Sequence, residues 1–200
     1  FNVNSYIGQD LKETYTTTEW TMEMNIKKDI LGTQIGQYNN QAIYSTGPDE
    51  VYVRFGDAPI EGNRLQIKTQ GTQMNSQMLF NANTWYHIAY VCTGAKLYLY
   101  VNGQLDNSMD LPGKETRVSS VSISSNSSYN RGNSFYSEVR LWKKARSQKE
   151  IQNNMYSCDP TTPGFIFYYK FNEGQGFKFK DWSGNGNDAT TKDNLVPTWI

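Results

Sequence analysis

The chain predicts an all-β fold, an antiparallel β-sandwich with one short helix in its C-terminal half, and three observations lead there. Short β-like runs recur along its length between clusters of Gly, Asn, Asp and Pro, the punctuation of a sandwich or barrel. Tyr, Phe and Trp make up 14% of the residues; with abundant Asn, Gln, Ser and Thr and little Leu or Ala, they suit a twisted, half-exposed sheet. Only one segment carries helix-start signals. With 200 residues, 37% of them hydrophobic, the chain is long enough to bury one sizeable core, and a single domain over residues 1–200 is expected.

In order, the first runs are Trp20 to Ile26, Gln41 to Ser45, Val51 to Phe55 and Arg64 to Lys68. Trp85-Tyr86-His87-Ile88-Ala89-Tyr90-Val91 follows, with large apolar groups on both parities. A strand of that kind must be covered on both faces, which marks it as central. Next comes Lys96 to Val101, leading into Asn102-Gly103. Asn-Gly supplies the positive φ values of a type I′ turn, so a hairpin is expected there, with Leu97, Leu99 and Val101 pointing one way and Tyr98 and Tyr100 the other. Val118 to Ser124 alternates within a Ser-rich stretch, and Phe135 to Trp142 forms another run. Ser147-Gln148-Lys149-Glu150 then reads as a capping box, placing a helix start at Ser147 with Ile151 and Met155 on one face. Asp159-Pro160 is expected to end that helix, because a residue preceding proline is pushed out of the helical region. Gly164 to Phe171 is the last run.

Nineteen basic and nineteen acidic residues cancel, so nucleic acid and anionic membrane surfaces are not expected partners. No run is long and apolar enough to span a bilayer, and membrane insertion of this region is not expected. Cys92 and Cys158 stand in neither metal-ligand nor C-x-x-C spacing, which argues against zinc and thioredoxin chemistry. Their spacing leaves open whether they pair.

The Trp85 to Val91 and Leu97 to Gly103 segments look like the paired central strands of laminin G-like jelly rolls. They are followed by Glu138-Val139-Arg140-Leu141-Trp142 and the capped helix through Ile151. In that order the three motifs resemble the laminin G-like domains of the concanavalin A-like lectin and glucanase superfamily; the first eighty residues match in pattern alone. The resemblance implies a concanavalin A-like jelly roll serving as a non-catalytic recognition module on secreted or cell-surface proteins, often bacterial. One departure stands out. Phe171-Asn172-Glu173-Gly174-Gln175-Gly176 and Asp181-Trp182-Ser183-Gly184-Asn185-Gly186-Asn187, which often open such a domain, here follow the helix. That segment is expected to lie beside the N-terminus, with Trp199 completing the core.

Asp181, Ser183, Asn185, Asn187 and Asp188 place side-chain oxygens between glycines, as calcium loops do, and calcium is the one cofactor the sequence suggests. Lys192 stands where an EF-hand needs a bidentate Glu, so a site here would be of another kind. The competing reading is an Asx-rich turn whose side chains bond their own backbone. A glycosidase needs two carboxylates; Glu138 with Glu173, or Glu19 with Glu23, are the available pairs, but the Glu-x-Asp-x-x-Glu run of related glucanases is missing. His87, the single histidine, is expected to be structural with a hydrogen-bond partner, and Trp85 and Trp142 are expected in the core. Carbohydrate recognition requires exposed aromatic faces beside amides or Arg, and Tyr38, Asn40, Tyr44, Tyr52, Arg54, Tyr129 and Arg131 offer that mixture. The expected function is glycan binding by a secreted or surface-attached bacterial protein. A surface protein or a neighbouring domain of a larger precursor would be the partner under a structural or protein-interaction alternative, and glycoside hydrolysis is the second alternative.

Overall fold

The computed structural model describes residues 7–29, 41–46, 51–56, 63–124, 134–191, 194 and 196–199, with backbone alone over 41–46. Its strands are β1 (Ile7–Thr17), β2 (Glu19–Lys28), β3 (Gln41–Thr46), β4 (Val51–Phe55), β5 (Leu65–Thr69), β6 (Thr72–Asn75), β7 (Trp85–Thr93), β8 (Lys96–Val101), β9 (Gln104–Asp110), β10 (Thr116–Ile123) and β11 (Ser134–Trp142). Helix α1 (Gln148–Asn154) precedes β12 (Phe165–Tyr169), β13 (Lys178–Phe179) and β14 (Ala189–Thr191). An eight-stranded sheet runs β13-β14-β1-β10-β3-β4-β5-β6, and a six-stranded sheet runs β12-β11-β2-β7-β8-β9.

Period-two alternation puts one face of each sheet into a common core. From the six-stranded sheet come Trp20, Met22, Met24, Ile26, Ile88, Tyr90, Leu97 and Leu99; from the other come Val51, Val53, Phe55, Leu65, Ile67, Val121 and Ile123. Tying the layers together, Trp20 Nε1 donates across the core to Thr116 Oγ1 at 3.1 Å, which satisfies the indole N–H inside an apolar interior.

β7 lies between β2 and β8, the central position expected of it. Ile88, Tyr90 and Cys92 belong to the main core, while Ala89 and Val91 on the opposite face pack with Ile151 of α1 and with Tyr98 and Tyr100. The helix therefore covers the outer face of the six-stranded sheet. Ser147 caps it as the sequence predicts: its side chain accepts from the Glu150 amide while the Glu150 carboxylate accepts from the Ser147 amide. That backbone hydrogen bond leads the causes holding the Glu150 carboxyl down at about 2. The helix stops at Asn154, before Asp159-Pro160, because its last carbonyls are taken by side chains from the sheet below. Arg140 Nη1 donates to Asn154 O at 2.8 Å, Arg140 Nη2 to Met155 O at 3.3 Å, and Asn25 Nδ2 to Met155 O at 3.1 Å.

The Asn102-Gly103 turn has φ of 50° and 73°, as the type I′ reading requires. It is also where α1 docks. Gly103 O accepts from Gln148 Nε2 and Gln152 Nε2 at 2.8 and 2.9 Å, and a Cβ on Gly103 would lie 2.8 Å from Gln152 Cγ. At the chain's end, β14 pairs with β1 through Ile7 with Thr191 and Gly8 with Thr190, and Trp199 packs on the core beside Phe179 with ring centroids 6.0 Å apart. Both cysteines are free and buried. Cys92 lies in the main core, and Cys158 lies in a separate cluster with Trp142, Phe165 and Tyr168. No helix among the described residues is long and apolar enough to cross a membrane.

Candidate functional site

β4 alternates strictly: Val51, Val53 and Phe55 are buried, and Tyr52 and Arg54 are half-buried on the face turned away from the core. The antiparallel register extends each of these two positions across the sheet. Tyr52 pairs with Lys68, which pairs with Gln73; Arg54 pairs with Gln66, which pairs with Asn75. Along the second row the side chains join hands. Arg54 Nε donates to Gln66 Oε1 at 2.6 Å, and Gln66 Nε2 donates to Asn75 Oδ1 at 3.0 Å. Asn107 Nδ2 of β9 then donates to the Asn75 carbonyl at 2.8 Å. Ordering an arginine and two amides in this way removes rotamer freedom before any ligand arrives, which lowers the entropic cost of binding. A phenol, a guanidinium, an ammonium and amides thus share one outer face, with Gln66 itself buried and spent on ordering Arg54 and Asn75, while Lys68 and Gln73 are exposed.

Of the residues expected to bind, Tyr52 and Arg54 are brought together here. Tyr38, Asn40, Tyr129 and Arg131 lie outside the described residues, and Tyr44 is described in backbone only, paired with Ile123 on one side and Val53 on the other. Gln73 and Asn75 escape the sequence reading because β6 does, and Gln66 and Lys68, though on the run Arg64 to Lys68, are placed beside Tyr52 and Arg54 only by cross-strand register. A readable signal existed: Gln70-Gly71 separates two short runs that each alternate.

The 181 to 188 segment is built as a clasp. Asp181 Oδ1 accepts from the Tyr168 and Ser183 amides, both at 3.0 Å, and Oδ2 accepts from the Asn187 amide at 3.0 Å. Asp188 Oδ1 accepts from the Asp181 amide at 2.8 Å, and Ser183 Oγ from the Asn185 amide at 3.3 Å. Asn187 Oδ1 accepts from the Lys12 amide at 3.0 Å while its Nδ2 donates to Ile166 O at 2.9 Å. Asn185 Nδ2 donates to Phe165 O and Ile166 O at 2.9 and 3.1 Å. These contacts bind β12 of one sheet to β1 of the other. Gly186, at φ 71°, is backed by the Lys12 ammonium, which would lie 2.3 Å from a Cβ there. A calcium shell needs six to eight oxygens turned towards one point. Here Asp181 Oδ1 and Oδ2, Asp188 Oδ1, Asn187 Oδ1 and Ser183 Oγ accept from backbone N–H groups and a lysine ammonium lies near Gly186, contacts of the kind the Asx-rich turn makes.

The carboxylates offered for hydrolysis have other surroundings. Glu23 is 0% exposed, beneath α1. Its Oε1 accepts from Arg146 Nη1, and its Oε2 lies 3.3 Å from His87 Nε2 and 3.8 Å from Arg140 Nη2. Burial pushes its pKa up, but His87, Arg140 and Arg146 outweigh that and hold the carboxyl below its ordinary value. His87 is thus a buried partner of Glu23, in keeping with a structural role. Glu19 of the same strand is exposed. Glu138 sits at a bulge in β11 with φ 56°, accepts from the Tyr168 hydroxyl, and is raised in pKa chiefly by burial. Glu173 Oε1 accepts from the Lys180 amide at 3.0 Å. One expectation is corrected. Trp142 is fully buried, whereas Trp85 is 43% exposed, because it begins β7 on the outward parity, on the face that α1 covers at Ala89 and Val91.

Two stacked antiparallel sheets of this order, with a helix on one outer face, define a concanavalin A-like sandwich. The sequence pattern of the concanavalin A-like lectin/glucanases superfamily matches residues 4–152, and the chain belongs to that family. No curated protein matches it. Among solved structures, a candidate carbohydrate-binding protein from Bacteroides ovatus superposes with a TM-score of 0.80 at 23% identity, over 98% of this chain and 58% of that one. The chain thus spans well under two thirds of that relative. A heptameric SAP-like pentraxin from Limulus polyphemus superposes with a TM-score of 0.62 at 14% identity, over 97% of this chain and 89% of the pentraxin. At these identities the likeness is one of fold.

Proposed function

We propose that this chain is a carbohydrate-binding module of a secreted or surface-attached bacterial protein, recognising its ligand without covalent chemistry on the outer face of the eight-stranded sheet. The observation that carries this reading is the Arg54–Gln66–Asn75 hydrogen-bonded row beside the Tyr52–Lys68–Gln73 row. Tyr52 supplies a partly exposed aromatic face for the C–H side of a sugar ring, and the Arg54 guanidinium with exposed Lys68 and Gln73 supplies donors and acceptors for its hydroxyls, while buried Gln66 holds Arg54 in place. Membership of a superfamily of lectins and glucanases supports the class of ligand. The sealed position of Glu23 under the helix and the separate engagements of Glu138 and Glu173 favour binding over hydrolysis. Calcium is no part of the reading, since the acidic loop is engaged by protein donors.

A glycan array followed by calorimetry on the best ligand tests it. Tyr52→Ala and Arg54→Gln are each expected to weaken binding by about tenfold or more, the loss of roughly 1.4 kcal/mol or more, with affinity unchanged in chelator. Binding indifferent to both substitutions, or turnover of a polysaccharide, would refute the proposal.

A further inference from the structure

A second outward surface lies on the opposite sheet. Phe135 of β11, Lys27 of β2 and Trp85 of β7 are register partners on three adjacent strands, so their side chains form one row across the sheet. Lys27 stands between two rings, its Nζ 4.2 Å from the Phe135 centroid and 5.8 Å from that of Trp85. Trp85 is 43% exposed; the other described tryptophans are buried, as Trp20 and Trp142 are, or packed against hydrophobic clusters, as Trp182 and Trp199 are. Lys27 makes no ion pair among the described residues, although Lys96, Lys144, Arg140 and Arg146 each do. Half-buried Ser137 follows Phe135 on the same face, one position along.

We propose that Trp85, Lys27 and Phe135 form a platform for an acidic saccharide, with a pyranose ring laid on the indole and its carboxylate paired with the Lys27 ammonium. The inference rests on the reading of this chain as a carbohydrate-binding module, and it adds a site and a charge preference to it. The chemistry selects the ligand class. An indole offers a broad apolar face, and a pyranose is flat and apolar on its C–H side. An ammonium held between two rings is partly stripped of water and already ordered, so it gains more from a carboxylate than a freely moving lysine would. A neutral sugar would use the indole and leave the cation unanswered. A bare carboxylate would use the cation and leave the indole uncovered.

Calorimetry with tri-galacturonate and neutral tri-galactose, at low and high salt, tests the platform. The trimer of the acid is expected to bind about tenfold tighter than the neutral one at low salt, with the advantage shrinking as salt screens the pair. Lys27→Gln should erase that preference, Lys27→Arg should restore it, and Trp85→Ala should lose the acidic trimer by more than tenfold. Lys178→Gln, at an exposed lysine of the other sheet, should leave the preference intact. If tri-galacturonate binding survives Trp85→Ala and Lys27→Gln, the platform is overturned; if it falls only with Tyr52→Ala or Arg54→Gln, the platform is overturned while the module reading stands. If no saccharide on a broad array binds the parent chain, both readings fall together. Loss of self-association on Trp85→Ala, with saccharide binding unchanged, would make this row a protein contact and likewise overturn the proposal.

Discussion

Lys28 offers the sharpest test of the packing. It ends β2 on the inward parity of Trp20, Met22, Met24 and Ile26, is 2% exposed, pairs with Ser134 across the ladder, and its Nζ has no hydrogen-bond partner among the described residues. Burial drives its pKa down from 10.5 to about 7, with Asp29 pulling weakly the other way. An unfolded chain keeps this lysine protonated up to about pH 10.4, so between roughly pH 7 and that value the unfolded state binds more protons than the folded one. Stability must then rise with pH across that window, and the full penalty must be present below it. A shift of this size corresponds to about 3 to 5 kcal/mol. Replacing Lys28 by Met keeps the stem's volume, removes the charge, and should stabilise the protein by about that amount at pH 6 to 7. Urea unfolding of parent and Lys28→Met at intervals from pH 6 to 10 measures it. The parent's free energy should climb towards the variant's as pH rises, and subtracting one curve from the other cancels all other titrations. Parallel curves, or a variant less stable than the parent at pH 7, would refute the reasoning, since either would mean that the ammonium is well accommodated.

Three further outcomes are expected. Glu23→Leu leaves Arg140 and Arg146 buried without their carboxylate and should cost about 3 to 5 kcal/mol in urea unfolding, with α1 loosened first in hydrogen exchange. Asp181→Ala removes the acceptor for three backbone amides and should cost about 2 to 4 kcal/mol; faster exchange at the Tyr168, Ser183 and Asn187 amides would localise the loss, and unchanged protection there would contradict the clasp. Gly103→Ala forces a Cβ into Gln152 at positive φ and should cost about 1 to 2 kcal/mol, read as a lower Tm, whereas the same change at Gly174, where a Cβ meets nothing within 4 Å, carries only the conformational part.

Strands whose identity rests on local chemistry were legible. β4 and β8 run over the residues read from the sequence, the Asn102-Gly103 turn has the dihedrals its residues demand, and the Ser147 capping box closes as written. β1 was not legible. Its burial along Ile7–Thr17 is irregular, with only Ile7 and Leu11 buried, because it is held between β14 and β10 by backbone ladders that any residue can form. β9 likewise buries no side chain and exists because the turn before it returns the chain along β8. Half of the candidate site was legible for a related reason: Tyr52 and Arg54 advertise an outward face by alternation, but only cross-strand register places Gln66 and Asn75 beside them.

The sequence by itself determined the class of fold, the central strand and the capped helix, since periodicity, turn residues and caps act over a few neighbouring positions. Tertiary structure alone decided which way marginal residues faced and what they met. The same alternation that buries Met24 also carries Lys28 inwards, and the outward parity of β7 buries Ala89 and Val91 under α1 yet leaves Trp85 exposed at the strand's start. The acidic turn from Asp181 to Asp188 could be written equally for an ion or for the backbone. Its oxygens went to the amides of β12, β1 and the turn itself because folding brought those donors within 3.0 Å. Such long-range meetings depend on where distant strands come to rest, which no local pattern encodes.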